Sequence, residues 1–420
     1  MTEGPSQSGC RGVNNRNCVT ASAADIILTV SLATLDVAPR QSARPTWAEI
    51  SLGTLCQNFR AVQAYVGPGV EVCAVIKADA YGHGATPCAI SLEYAGARWF
   101  GVTTTDEGMP LRSAGLRGRI LLMTGFWRGE EEEVVRQNLT ATVWEPWHLE
   151  LLDRAARDLD AGAQPVHLKI DTGMGRLGVS LDEIAPMCRE IRKYPNIRLE
   201  GVSTHFASSE NLDAPENENQ IANFERAVCM VEDEGLRPDL LHMDNTGGLL
   251  ARPETWKNMV RPGIALYGYA LKQNRGGKPL ASDPGLELEP ALSWRTRIIS
   301  IRELGAGQAL GYSGTYTTTS PSRIAVLPVG YADGYRRCLS NKGRVIVRDA
   351  YAPIVGAISM DLTLVDVTQV SGVEEGDDVT LMGSSGRLRV DAVEIANLCG
   401  TVPYEILCGI SKRVPRVHLS

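Results

Sequence analysis

The residues of this chain best suited to chemistry fall at the ends of short apolar runs. AVIKADAYGHG (74–84) places Lys77 at the end of one run. HLKIDTGMGRLG (167–178) ends another with Lys169 and Asp171 and continues to Arg176. STHFA (203–207) brings His205, NTGG (245–248) brings Thr246, and VRPGIALYG (260–268) brings Arg261, Gly263 and Ile264. A lysine closing a buried strand costs desolvation unless it is neutral or paired. Neutral, it can form a Schiff base with a carbonyl; paired, it is a structural ion pair, for instance with Asp79. The glycines of NTGG and PGIA (262–265) let backbone N–H groups approach an anion, and Tyr81 adds a hydroxyl donor. A Schiff-base lysine facing a phosphate cradle suggests pyridoxal 5'-phosphate (PLP).

Arg261 refines that reading. A carboxylate at the pyridine nitrogen keeps the ring protonated and strongly electron-withdrawing. An arginine only donates, so it suits brief removal and return of a proton. The other reading of Arg261 is an ion pair in the barrel wall. Racemisation needs a base on each face of the α-carbon, and Tyr312, in the Gly-flanked QALGYSGTY (308–316), is a candidate for the second. A free tyrosine titrates near 10, so it would need a nearby cation, and His205 held toward Arg261 could relay one. Alternatively, Tyr312 is a surface or packing residue.

Such residues need a scaffold that gathers strand ends. Eight strand-like runs, VEVCAVIK (70–77), WFGVTT (99–104), RILLMT (119–124), ATVWE (141–145), VHLKID (166–171), RLEGVSTH (198–205), LLHMD (240–244) and VRPGIALYG, alternate with amphipathic helical stretches. That rhythm predicts an α/β fold, a (β/α)8 TIM-type barrel with its reactive groups where strands end. Beyond residue 285 the runs become short, β-branched and turn-punctuated, predicting a mainly β domain. The expected boundaries are 1–45 for a disordered extension, 46–285 for the barrel and 286–420 for the β domain, with 276–290 as the linker. The apolar run IILTVSLATLDV (26–37) lies too late and is too weak for a good secretory signal.

Composition narrows the class. With 44% hydrophobic and 22% charged residues the chain reads as soluble and globular. A net charge of −7 and no basic run argue against nucleic acid and anionic membranes as partners. The ten cysteines form no CxxC or zinc-spaced cluster, so no metal is expected, and reduced thiols suggest a cytoplasmic location.

Eight motifs in register resemble those of alanine racemases: AVIKADAYGHG, HLKIDTGMGRLG, STHFA, VRPGIALYG, GYSGTY, PVGYADGYRR (328–337), ISMDLTLVD (358–366) and YEILCGISKRVPRV (404–417). The resemblance covers about 46–417 and implies PLP-dependent interconversion of L- and D-alanine, supplying D-alanine for peptidoglycan. A broad-specificity amino-acid racemase is the alternative. It further implies that Lys77 holds PLP and is the base for the D-enantiomer. Tyr312, reaching the partner subunit's site in a homodimer, is the base for the L-enantiomer. Arg176 and Met360 would meet the substrate carboxylate and Tyr331 would narrow the entrance. Arg261 would bond the pyridine nitrogen with His205 beside it, while Tyr81, Thr246, Gly263 and Ile264 would hold phosphate. Lys169 matches a lysine carbamylated in some members, which would orient Arg176. Two departures stand out: Thr246 replaces a common Ser, and Lys412 replaces a phosphate-binding Tyr found in some members. Arg261 argues against a decarboxylase of the same fold, and the β domain argues against a PLP-binding module without enzymatic activity.

Overall fold

The computed structural model describes residues 44–420 except 271–272, 276–277 and 280–284. The expected extension therefore lies almost wholly outside the described residues, as does part of the expected linker. All eight expected strands form: β2 (Glu71–Val75), β3 (Trp99–Val102), β4 (Arg119–Leu122), β5 (Leu139–Val143), β6 (Gln164–Lys169), β7 (Ile197–Ser203), β8 (Leu240–His242) and β9 (Met259–Val260). They pair in parallel in the order β8-β7-β6-β5-β4-β3-β2-β9. The seam between β8 and β9 closes through individual bonds. Arg261 N–H donates to Asp244 O at 3.1 Å, and the Asn258 side chain accepts from Leu241 N–H at 2.7 Å. The eighth strand is shorter than its apolar run because Pro262 has no N–H to extend a ladder, and Ile264–Tyr267 turns into a 3-10 helix.

One boundary differs from expectation. β1 (Thr46–Ser51), a strand not among the expected eight and lying inside the expected barrel span 46–285, belongs to the other domain. It pairs antiparallel with the strand Leu292–Arg297 and parallel with Arg416–Leu419. Its side chains alternate buried and half-buried, the period of a strand with one face on a core. The chain enters the barrel region only afterwards, where the Ser51 hydroxyl accepts from Thr54 N–H and starts the helix Leu52–Val66. Arg44 and Pro45, assigned to the extension, are tied in as well. The Arg44 guanidinium holds the buried Asp333 carboxylate at 2.7 and 2.9 Å, and Pro45 O accepts from Arg297 N–H. The β domain adds a three-stranded sheet (Ser300–Leu304, Ser322–Leu327, Thr363–Asp366) and the helices Ala392–Cys399 and Pro403–Cys408. No described helix is long and apolar enough to cross a membrane.

Burial lowers the proton affinity of five histidines, His83, His148, His167, His205 and His242. His83 and His148 fall to about 4, whereas an unfolded chain titrates near 6.5. Between those values the unfolded chain binds more protons, so stability falls as pH falls. The loss is about 1.4 kcal/mol for each pH unit separating the folded and unfolded values of a histidine. The thermal midpoint is accordingly expected to drop between pH 7 and 5. A flat midpoint across that range would show that these rings are charged inside the fold.

Candidate active site

The chain leaves β2 through Ile76 and delivers Lys77 to a turn of unusual hand. Ala78, Asp79, Ala80 and Tyr81 all have φ of 53–55°, one turn of left-handed helix built without glycine. Each such residue costs about 1–2 kcal/mol for an L-amino acid, so contacts elsewhere must hold it. Glu107 accepts from Ala78 N–H and Thr103 N–H, both at 2.7 Å. Asp79 accepts from Ala85 N–H at 2.7 Å. From the β domain, Arg416 Nε reaches Gly82 O at 2.9 Å and the His418 ring meets His83 O at 2.8 Å. Gly82, at φ 81°, lets Leu407 O approach; a Cβ would stand 2.6 Å from that oxygen. Gly82→Ala is therefore expected to cost about 1–3 kcal/mol, read as a lowered thermal midpoint. An unchanged midpoint would mean the two domains are not clamped here.

Asp79 and Glu107, the nearby carboxylates, are thus taken up by backbone N–H groups. Lys77 forms no ion pair among the described residues, which removes the structural alternative. Burial, then Arg176 and Arg261, lowers its proton affinity against the opposing pull of Glu107 and Cys408. Lys77 shares a pocket with Lys169, Arg176, Thr204, His205, His242 and Arg261. Asp171 shapes the loop carrying Arg176: its Oδ1 accepts from Gly173, Met174 and Gly175 N–H at 2.9–3.1 Å, and Oδ2 from Arg176 N–H at 3.2 Å. Burial opposes ionisation of Asp171, but these donors outweigh it and hold the carboxyl below its ordinary value. Lys169 is pushed well below its ordinary value by burial and by Arg261 and Arg176.

Arg261, 4% exposed, is the electrostatic centre of the floor. Its Nη2 donates to Thr204 O at 2.8 Å and Met243 O at 3.2 Å and stands 3.3 Å from His205 Nδ1. Its Nη1 meets His242 Nδ1. No carboxylate touches the guanidinium among the described residues. His205 is held well below its ordinary value by burial and by Arg261, Lys169, Arg176 and Lys77, so it is neutral at pH 7.

Beside this floor, Tyr81, Thr246 and Gly263 converge. The Thr246 hydroxyl accepts from Gly263 N–H at 3.1 Å. A Cβ on Gly263 would stand 2.3 Å from Tyr81 Oη. Ile264 follows at the start of its 3-10 helix. Two hydroxyls gathered beside backbone N–H groups suit a phosphate monoester, and the unpaired lysine fits an aldehyde. The residues therefore suit PLP as a resident cofactor. Among described residues no cluster suitable for a metal ion occurs.

The remaining candidates lie elsewhere in the chain. Tyr312 is 71% exposed, Met360 52% and Tyr331 44%, and none lines the Lys77 pocket. All three sit on loops of the β domain. Tyr331 N–H bonds Ser359 O and Ala332 N–H bonds Met360 O, while the Gly311 turn before Tyr312 lies against Ala357. The sequence reading missed His242 and His167, single polar residues inside buried apolar strands, and Glu107, on the helix Thr105–Ser113 after β3.

Two family models match the chain, alanine racemase N-terminal domain over 50–271 and alanine racemase C-terminal domain over 291–418. An alanine racemase of Syntrophobacter fumaroxidans is 40% identical over 373 residues, covering 87% of this chain and 96% of its own. A solved alanine racemase from D-cycloserine-producing Streptomyces lavendulae superposes with a TM-score of 0.81 at 31% identity, covering 90% of this chain and 98% of its own. Another, from Bartonella henselae with covalently bound pyridoxal phosphate, gives 0.78 at 29% identity, covering 89% and 99%.

Proposed function

The chain belongs to the alanine racemase family, and from that premise we propose that it interconverts L- and D-alanine with PLP held on Lys77. The observation that carries this reading is Lys77 itself. It is a strand-end lysine without an ion-pair partner, made easier to deprotonate by burial and two guanidinium groups, beside the cradle of Tyr81, Thr246 and Gly263. Bound PLP would withdraw electrons from the substrate and so acidify its α-proton.

The chain's own groups handle that proton. The Lys77 amine takes or returns it on one face of the α-carbon, and the Tyr312 hydroxyl on the other. Arg176 steadies the substrate carboxylate, helped by the Met360 backbone, and Tyr331 narrows the entrance. Tyr81, Thr246, Gly263 and Ile264 hold the phosphate. Arg261 offers the pyridine nitrogen only donors, with neutral His205 beside it, so the ring withdraws electrons moderately. Burial, then Arg261 and Arg176, pushes Lys169 toward the neutral amine that carbamylation needs, and the carbamate anion would orient Arg176; intact mass before and after acid treatment tests this. The exposure of Tyr312, Met360 and Tyr331 supports a homodimer in which a second copy completes each site. The D-alanine formed would supply peptidoglycan.

The test incubates purified, PLP-loaded protein with L-alanine in D2O. D-alanine carrying deuterium at the α-carbon is expected. No enantiomer formation and no exchange would overturn the reading. Lysine and arginine in the same assay decide the breadth of substrate.

A further inference from the structure

Arg261 is a buried cation whose nearest directly bonded partners are carbonyls and imidazoles. Asp244, the carboxyl adjoining it through the backbone, is lifted to about 7 by burial and is bonded to Thr255, so it is a poor counter-ion. A fully charged carboxylate lies farther away, across two histidines. Arg261 Nη1 meets His242 Nδ1, His242 Nε2 meets His167 Nδ1 at 2.8 Å, and His167 Nε2 stands 3.5 Å from Glu200 Oε2. Glu200 is in turn held by Arg119 at 2.6 Å and Arg198 at 2.7 Å. Burial resists ionisation of Glu200, but His167 and the arginines outweigh it and bring the carboxyl to about 2.

The line crosses the barrel interior. His242 closes β8, His167 lies midway along β6, Glu200 sits in β7, and Arg119 opens β4 at the opposite end of the barrel. His167 and His242 are 0% and 1% exposed, and Glu200 4%. The fold makes room for this line. Gly201 in β7 faces the His167 ring, and a Cβ there would stand 2.8 Å from three of its atoms. The other side of the His167 ring packs on Trp99, over which the Arg119 guanidinium lies at 4.6 Å.

Donor and acceptor chemistry orders the protons. Arginine can only donate, so His242 Nδ1 must accept and its Nε2 must carry the hydrogen. That hydrogen is donated to His167 Nδ1, which leaves the His167 proton on Nε2, 3.5 Å from the Glu200 carboxylate, a charge contact with no hydrogen bond formed there. Either ring in the other tautomer would set N–H against N–H. Burial holds both rings below the ordinary imidazole value; hydrogen bonds order the tautomers from the Arg261 end, and the charge of Glu200 favours the same order.

We infer that His242, His167 and Glu200 are positioning residues for Arg261: a proton-ordered line through the barrel core that fixes the guanidinium beneath the reacting centre and balances its charge from a distance. This rests on the reading that Arg261 faces the cofactor's pyridine nitrogen. The line explains how the fold keeps a cation there without a carboxylate close enough to compete for its donors.

The test has two arms. In PLP-free protein labelled with 15N-histidine, the ring nitrogens of His167 and His242 are assigned by substitution. Both rings are expected to be neutral with the proton on Nε2. A proton on Nδ1 of either ring overturns the inference, whatever reaction the protein catalyses. The second arm compares substitutions in PLP-loaded protein. His242→Gln and His167→Gln can each accept on one side and donate on the other, so they should keep kcat near the parent. His242→Leu and His167→Leu break the line and should lower kcat about ten- to a hundredfold with KM little changed, the scale for groups that orient a site residue. They should also shift the cofactor's absorption band. Glutamine variants as impaired as leucine ones, or leucine variants with unchanged kcat, overturn the positioning role. If the parent shows no racemisation at all, the proposed function fails, and the nitrogen signals still decide the wiring.

Discussion

Lys77→Ala is expected to lose racemisation by at least about four orders of magnitude, the most severe effect of any single substitution in the pocket. Under the proposed function two roles would end together: the anchor for PLP and the base on one face of the α-carbon. Neither has a substitute in place. Lys169 lines the same pocket and burial also pushes it toward neutrality, but it sits at the end of β6, whereas Tyr81 lies four residues beyond Lys77 on the same left-handed turn. Borohydride reduction of the PLP-loaded parent, followed by peptide mapping, should place the pyridoxyl group on Lys77. In Lys77→Ala the group should be absent from every peptide, and D-alanine formation should fall to background. Lys169→Met should still be labelled at Lys77. A pyridoxyl group on Lys169 in the parent would overturn the assignment.

How far the site could be read in advance depends on which forces set each part. The eight barrel strands follow from local apolar runs, and each is found within or overlapping its run. β1 was not marked as a strand, its residues falling inside the expected barrel, because nothing local says which sheet a half-buried strand joins. The left-handed turn was not legible at all. Ala78, Ala80 and Tyr81 carry no preference for positive φ and Asp79 only a modest one, and the turn is held by Glu107 and by Arg416, more than 300 residues away. His167 and His242 were missed for a related reason. A lone histidine in an apolar strand reads as a satisfied core residue, and only the pairing of β6, β7 and β8 brings the two rings and Glu200 into line. Arg261, by contrast, was marked by its neighbours in VRPGIA, where proline ends the strand and glycine admits Tyr81.

Tyr312→Ala is expected to be nearly as inactive as Lys77→Ala, yet mixing the two inactive proteins should restore activity. The reason is positional. Lys77 lines its own chain's pocket, whereas Tyr312 is 71% exposed on a β-domain loop and does not line it. If the hydroxyl is to reach an α-carbon above Lys77, the simplest source is the second copy of an isologous dimer. In a heterodimer of Lys77→Ala and Tyr312→Ala chains, one site takes Lys77 from the second chain and Tyr312 from the first, so it is intact. The other site lacks both groups. Random mixing makes about half the dimers heterodimers, each with one working site of two, so recovery should approach roughly a quarter of the parent activity. Co-expression with two different tags isolates the heterodimer and raises the expectation to about half, still under two-fold pairing. Each tagged parent alone should stay at background. Tagged heterodimers that form and remain inactive would mean that Tyr312 acts within its own chain or takes no part. The second base would then have to be sought among the other groups that line the Lys77 pocket, Lys169 and His205 among them.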